Sequence, residues 1–290
     1  MITIIAVGSF DNLCSRHVRF LEEASKLGDL YVLLWSDDLV RWATGQPPKF
    51  AQAERRYLVE AIRYVDRVSL VDEDPSTGSG QALTGVPRNA SGLAVDEADD
   101  TPARRAFCAA RSLTYHLFTS ADLAGFPEES GVRSQESEAR DQSSVVGRPS
   151  SVLRHPSVLV TGCYDWLHSG HVRFFEEASA YGDLYVVIGS DANVRHLKGA
   201  GHPLQSQDER RYMVGAIRYV KQALISTGWG WLDAEREIAR LRPDIYLVNE
   251  DGDRPEKRAF CAGRGLEYVV LRRIPKQGLP RRSSTDLRGF

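Results

Sequence analysis

The chain repeats itself. "VTGCYDWLHSGHVRFFEEASAYGDLYVVIGSD" (160–191) restates "AVGSFDNLCSRHVRFLEEASKLGDLYVLLWSD" (6–37), so Gly8 recurs as Gly162 and Asp11 as Asp165, each 154 positions on. "AERRYLVEAIRYVDRV" (53–68) returns as "DERRYMVGAIRYVKQA" (208–223), and "EADDTPARRAFC" (97–108) as "EDGDRPEKRAFC" (250–261), at offsets of 155 and 153. Offsets this constant mean one ancestral fold used twice, and a unit this long is a domain rather than a solenoid repeat. The predicted division is a degenerate, catalytically inactive first domain over 1–120, a partly flexible linker over 121–153 and an active second domain over 154–290. The linker reading rests on 129–151, which is rich in Ser, Gln, Glu and Arg and too poor in apolar residues to order itself.

Periodicity supplies the fold class. "SVLVTG", "DLYVVIGS" and "DIYLVNED" are short continuous apolar runs, the pattern of buried parallel strands. Between the first two, "HVRFFEEASAYG" sets Phe175, Ala178 and Ser179 on one helical face and is expected to stop at a Gly182 cap. "DERRYMVGAIRYV" reads as a second amphipathic helix. Leu232, Ile238 and Leu241 mark a third, whose counterpart in the soft stretch 72–92 is lost or loosened. Strand, helix, strand, helix, strand predicts an α/β chain of two tandem Rossmann-like, doubly wound parallel sheets. Such sheets bind ligands beyond the carboxyl ends of their strands, where "HSGH" falls.

The remaining bulk features are mostly exclusions. A net charge of −2 offers no basic field to a nucleic acid, and no apolar run is long enough to span a bilayer. Four cysteines, Cys14, Cys108, Cys163 and Cys261, have no CxxC spacing, which argues against a zinc site or a disulfide framework. Cys108 and Cys261 read as small hydrophobes buried in helices. "MITIIAVGSF" lacks the basic start and cleavage site of a signal peptide, so a cytoplasmic protein is expected.

His168 and His171 lie three apart in the first turn of a helix and share a face. Gly170 lets a ligand approach the backbone. The helix N-terminus, with a partial charge of about +0.5, suits a phosphate, and two imidazoles there can donate to phosphate oxygens as charge moves onto a leaving group. On the pair alone, a polar surface feature is the competing reading. A metal site is disfavoured, because no third ligand sits at a compatible spacing.

"GCYDWLHSGH" resembles the HxGH signature of the nucleotidyltransferase superfamily, which includes the cytidylyltransferases. "LKGAGHP", "ERRYMVGAIRYV" and "RRSSTDL" resemble that family's lysine-glycine segment, ER helix and S-[ST]-T segment, in the same order across 155–290. The tandem layout and the ending "SSTDLRGF" resemble the ethanolamine-phosphate cytidylyltransferases. Class I aminoacyl-tRNA synthetases share a similar histidine turn, but no KMSKS-like lysine loop is present here.

The resemblance implies attack by a substrate phosphate on the α-phosphorus of a nucleoside triphosphate, with pyrophosphate leaving. His168, His171 and Lys198 would carry the chemistry. Gly162, Cys163, Asp165, Gly170, Ser283, Ser284 and Thr285 would surround the nucleotide, and magnesium would accompany the triphosphate. Arg210 reads equally as a nucleotide neighbour or as an ion pair on its helix. Asp251 is a candidate contact to base or ribose and Arg273 to phosphate or base, with Arg282 able to take the arginine's place. Trp229 and Trp231 could wall the acceptor, even as a cation–π surface, but anchoring their loop into the core is the favoured reading.

The first repeat replaces His168 by Cys14, Gly170 by Arg16 and Lys198 by Thr44, and has no match to the serine segment. Arg16 would fill the place a phosphate must approach. That copy therefore reads as silent, serving as a fused partner in an intramolecular pseudo-dimer, with a homodimer of whole chains also conceivable. Three functions follow: cytidylyl transfer from CTP to a small phosphorylated alcohol of the ethanolamine, choline or glycerol phosphate type, the same reaction from ATP, or nucleotide sensing without turnover.

Overall fold

The computed structural model describes residues 2–74, 85–127, 155–284 and Leu287. Its first sheet comprises β1 (Thr3–Gly8), β2 (Asp29–Trp35), β3 (Arg67–Val71), β4 (Ala90–Asp96) and β5 (Thr114–Phe118), in the order β3-β2-β1-β4-β5. The second comprises β6 (Ser157–Gly162), β7 (Asp183–Ile188), β8 (Gln222–Ile225), β9 (Ile245–Asn249) and β10 (Glu267–Leu271), and repeats that order as β8-β7-β6-β9-β10. All pairings within both sheets are parallel. Consecutive residues such as Val158, Leu159 and Val160 are buried because helices cover both faces, which explains the unbroken apolar runs.

The first half carries α1 (Ser15–Ser25), α2 (Asp37–Thr44), α3 (Gln52–Glu60) and α4 (Pro102–Arg111). The second carries α5 (Ser169–Ser179), α6 (Asp191–Lys198), α7 (Gln207–Gly215), α8 (Glu235–Leu241) and α9 (Pro255–Arg264). The two-fold α/β architecture is as the sequence predicts. So is α8, with Ile238 buried, although Leu232 lies before it in a 3-10 turn (Gly230–Leu232), while the described residues of 72–92 contain no helix; 75–84 lie outside them. Cys108 in α4 and Cys261 in α9 are buried, and burial raises both thiol pKa values, the latter to about 11.

Two local expectations are corrected. Helix α5 ends at Ser179 with Ala180 as its cap, and Gly182 serves another need. Gly182 has φ +154°, and a Cβ there would stand 2.1 Å from the Pro156 carbonyl oxygen. Only glycine lets the chain pass that close on its way into β7. The second amphipathic helix is also shorter than its pattern. Helix α7 stops at Gly215, because the following residues leave it to pair across the molecule: Ile217 forms an antiparallel bridge with Ile62.

That bridge lies on a seam between the halves. Helix α1 packs on α7 and α3 on α5, and the polar contacts come in mirrored pairs. Arg63 N donates to Ala216 O and Arg218 N to Ala61 O, both at 2.9 Å. Tyr57 Oη donates to Glu176 and Tyr212 Oη to Glu22, both at 2.7 Å. One apolar core runs through both halves, and Leu123 and Phe126, past the end of β5, belong to it or pack against it. Residues 128–153 of the expected linker lie outside the described residues. No helix among the described residues is long and apolar enough to cross a membrane.

Candidate active site

The second sheet opens at its switch point. Strand β6 pairs with β7 as far as Gly162 but with β9 only at Val158 and Leu159, so β6 and β9 part company toward their carboxyl ends. Helix α5 starts at that crevice, where this class of sheet binds ligands.

His168 is the N-cap of α5, and its Nδ1 accepts from Gly170 N at 3.1 Å. With Nδ1 accepting, the neutral ring carries its proton on Nε2. His171 stacks on it with ring centroids 3.8 Å apart and planes inclined by 21°. The edge of Tyr164, 5.4 Å away, closes the other side. His171 Nδ1 is enclosed, with no hydrogen-bond partner among the described residues. Burial, followed by the charges of His168, Arg273 and Lys198, pushes the His171 pKa well below its ordinary value. The ring is thus neutral and suited to donating hydrogen bonds rather than to pairing as a cation.

This depression has a stability consequence. An unfolded chain takes up a proton at this histidine below about pH 6.5, and the native site resists it. Its contribution is complete above that pH and is lost as pH falls further. We expect the urea midpoint to drop more between pH 7.5 and 5.5 in the parent chain than in His171→Gln. Equal drops would show that the ring titrates normally.

The expected phosphate groups converge only in part. Lys198 ends α6, exposed, and acts electrostatically on His171. The segment bearing Ser283 and Ser284 crosses the start of α5: a Cβ on Gly170 would lie 3.3 Å from Arg282 O and 3.0 Å from the His168 ring. Gly170 is therefore set in a tight place in the packing, between the His168 ring and Arg282 O. Leu287, fully buried, pins the segment, and Thr285 lies outside the described residues. A cleft beside it is lined by Ser169, Gly170, Arg173, Glu177, Arg273 and Arg281, with Arg173 paired to Glu177 and Arg273 to Asp251.

Other residues are tied to the framework. Gly162 gives its space to the Tyr164 ring, 2.7 Å from where a Cβ would stand. Asp165 accepts from Leu204 N and Gln205 N at 2.9–3.0 Å, as Asp11 does from Lys49 N and Phe50 N at 2.7 and 2.9 Å. Arg210 has no exposure and donates to Gln205 O, Cys163 O, Gly189 O and Asp191 Oδ1 at 2.7–3.1 Å. Asp251 and Arg273 are brought together as an ion pair at 2.7 Å, and Arg273 also donates to Arg282 O. Arg282 itself pairs with Glu54 of the first half, at 2.8 Å. Sequence reading missed Glu54 because its role lies across the seam.

The tryptophans correct an expectation. Trp229 is 59% exposed and Trp231 47%, so neither anchors the loop. Asn193 does that, exchanging hydrogen bonds with both backbone groups of Gly230 and reaching the Asp233 carboxylate. The indoles stand on this rigid loop with Trp229 stacked on His196 and the Arg254 guanidinium over Trp231.

The mirror crevice in the first half is occupied. Arg16 holds Asp96 through two bonds of 2.8 and 2.6 Å and reaches Ser120, bridging the start of α1 to the end of β4. Burial raises the Asp96 pKa, but Arg16 outweighs it and leaves the carboxyl below its usual value. Cys14 caps α1, with Sγ 3.4 Å from His17 Nδ1, and Thr44 turns its hydroxyl back to Val40 O.

Comparison with known proteins fits this picture. A family model described as cytidylyltransferase-like matches residues 5–86 and 159–290. The chain is 35% identical to an FAD synthase of Aciduliprofundum boonei over 135 residues, covering 46% of this chain and 83% of that protein. An FAD synthase of Methanoculleus marisnigri is 36% identical over 118 residues, 40% of this chain and 75% of the relative. The bifunctional protein HldE of Geobacter sulfurreducens is 29% identical over 134 residues, 42% of this chain; the chain spans only 27% of the length of HldE. Each match covers less than half of this chain, whereas the family model reaches into both repeats. With its sheet order and histidine turn, the chain belongs to the cytidylyltransferase-like family of nucleotidyltransferases.

Proposed function

We propose that the second half transfers a nucleotidyl group from a nucleoside triphosphate to the phosphate of a small acceptor, and that the first half is a silent partner fused to it. The observation that carries this is the stacked His168–His171 pair at the start of α5, with Lys198 and the serine segment around it. An acceptor phosphate oxygen attacks the α-phosphorus, a new P–O bond forms, and the bond to the bridging oxygen breaks with its electron pair leaving on pyrophosphate. No covalent enzyme intermediate is needed, so positioning and charge stabilisation supply the catalysis. His168 and His171 donate to the triphosphate as charge builds on the leaving group, Lys198 neutralises it, and Ser283, Ser284 and Thr285 hold the distal phosphates.

Among the described residues, no cluster of three or more His, Cys, Asp or Glu side chains could hold a metal. The donor set suits phosphate oxygens instead. Magnesium would reach the site on the triphosphate and supply charge neutralisation there.

CTP with a phosphorylated alcohol is the first reading, supported by the tandem layout. Two relatives named FAD synthase support ATP as the second. We expect pyrophosphate release that requires both a nucleotide and an acceptor, with CTP or ATP paired against ethanolamine phosphate, choline phosphate, glycerol 3-phosphate and FMN. Nucleotide binding without release in every pairing would replace transfer by a sensing role.

A further inference from the structure

Glu54 belongs to the first half, yet its carboxylate lies at the histidine turn of the second. It has no exposure and accepts from Ser169 Oγ at 2.5 Å, from Arg282 Nε at 3.1 Å and from Arg282 Nη2 at 2.8 Å. Ser169 is the residue between His168 and Gly170, and Arg282 directly precedes Ser283 and Ser284. One carboxylate from the silent domain therefore joins two phosphate-holding segments that are far apart in sequence.

Pseudo-symmetry separates framework from addition. The counterpart of Glu54 is Glu209, which accepts from Ser15 Oγ at 2.7 Å, so the serine–glutamate tie belongs to the seam on both sides. The second partner of Glu209 is Gln205 Nε2, at 3.1 Å, rather than an arginine. The arginine arm is found on the side that keeps the histidine pair. Arg282 O in turn accepts from Arg273 Nη2 at 2.7 Å and lies against Gly170, so the pull of Glu54 is passed to the backbone beside α5.

We propose that Glu54 is a positioning residue for the phosphate site of the second half, clamping the histidine turn to the serine segment. This rests on the nucleotidyl-transfer reading and assigns the silent half a direct part in it. A shift of about 1 Å in such groups costs up to about a hundredfold in rate. Loss of the carboxylate would also leave the Arg282 cation without its buried partner.

The test uses the full chain and inorganic pyrophosphate with magnesium, titrated by calorimetry. Glu54→Gln should weaken pyrophosphate binding about tenfold, against a change within about twofold for Glu209→Gln. Glu54→Asp keeps the charge, and with it the fold, but is one methylene too short to hold both partners; its affinity should fall in between. Urea midpoints of all three check that binding is measured on folded protein. A purely structural role would affect E54Q and E209Q alike, and equal affinities overturn the inference while leaving nucleotidyl transfer standing if the parent chain turns over. A parent chain that binds pyrophosphate yet transfers nothing overturns the functional reading alone, and one that binds no pyrophosphate overturns both.

Discussion

Replacing His168 by Asn is expected to cut pyrophosphate release by about a hundredfold or more while the urea midpoint stays close to that of the parent chain. The choice of Asn separates two jobs of one residue. His168 caps α5 through Nδ1, and removing a cap altogether costs about 1 kcal/mol. Asparagine is among the best caps, so the helix start is retained. What it cannot replace is the ring stacked on His171 and the Nε2 proton that follows from Nδ1 accepting. His17→Ala in the first half provides the contrast: that ring partners Cys14 beside a crevice already bridged by Arg16, and release should hardly change. An H168N chain whose urea midpoint collapses together with its rate would mean that the histidine serves the fold alone.

The sequence declared much of this, and its silences have physical causes. The duplication, the parallel sheets and the HSGH turn are local patterns: a run such as "SVLV" or a pair three apart on a helix is visible within a few residues. The seam is not. Glu54 finds Ser169 and Arg282, and Arg63 finds the backbone of 216–220, through packing of one repeat on the other, which has no period in the chain. The same packing ended α7 at Gly215 although "AIRYV" continues its amphipathic pattern, because pairing Ile217 with Ile62 won over propensity. Trp229 and Trp231 misled for the opposite reason. Large aromatic residues ordinarily sink into a core, and here a polar network through Asn193 and Asp233 builds the loop without them.

Arg210 and Arg55 should prove interchangeable in consequence. Each is fully buried, and the two guanidiniums share three equivalent bonds. Arg55 donates to Phe50 O, Ser9 O and Asp37 Oδ1, at 2.6–2.9 Å. Arg210 donates to Gln205 O, Cys163 O and Asp191 Oδ1, at the matching places in its own half, and adds Gly189 O. Arg210→Met and Arg55→Met keep much of the volume but strip these carbonyls and the carboxylate of their donor. The carboxylates, each about a third exposed, can turn to water, but the enclosed carbonyls lose their donor at a cost of about 1–3 kcal/mol, so both urea midpoints should fall, and by similar amounts. A nucleotide contact would give a different signature: R210M would keep its midpoint and raise the KM for the triphosphate, and R55M, in the crevice bridged by Arg16, would be silent. The bonding of Arg55 argues for the first outcome, since the first half carries Cys14, Arg16 and Thr44 where the second has His168, Gly170 and Lys198, yet keeps the arginine and its framework bonds. Its retention there, with its donors committed to Ser9 O after β1, Phe50 O before α3 and the Asp37 carboxylate at the start of α2, marks the residue as a strut of the framework, and Arg210 ties the loop leading into the histidine turn in the same way through Cys163 O.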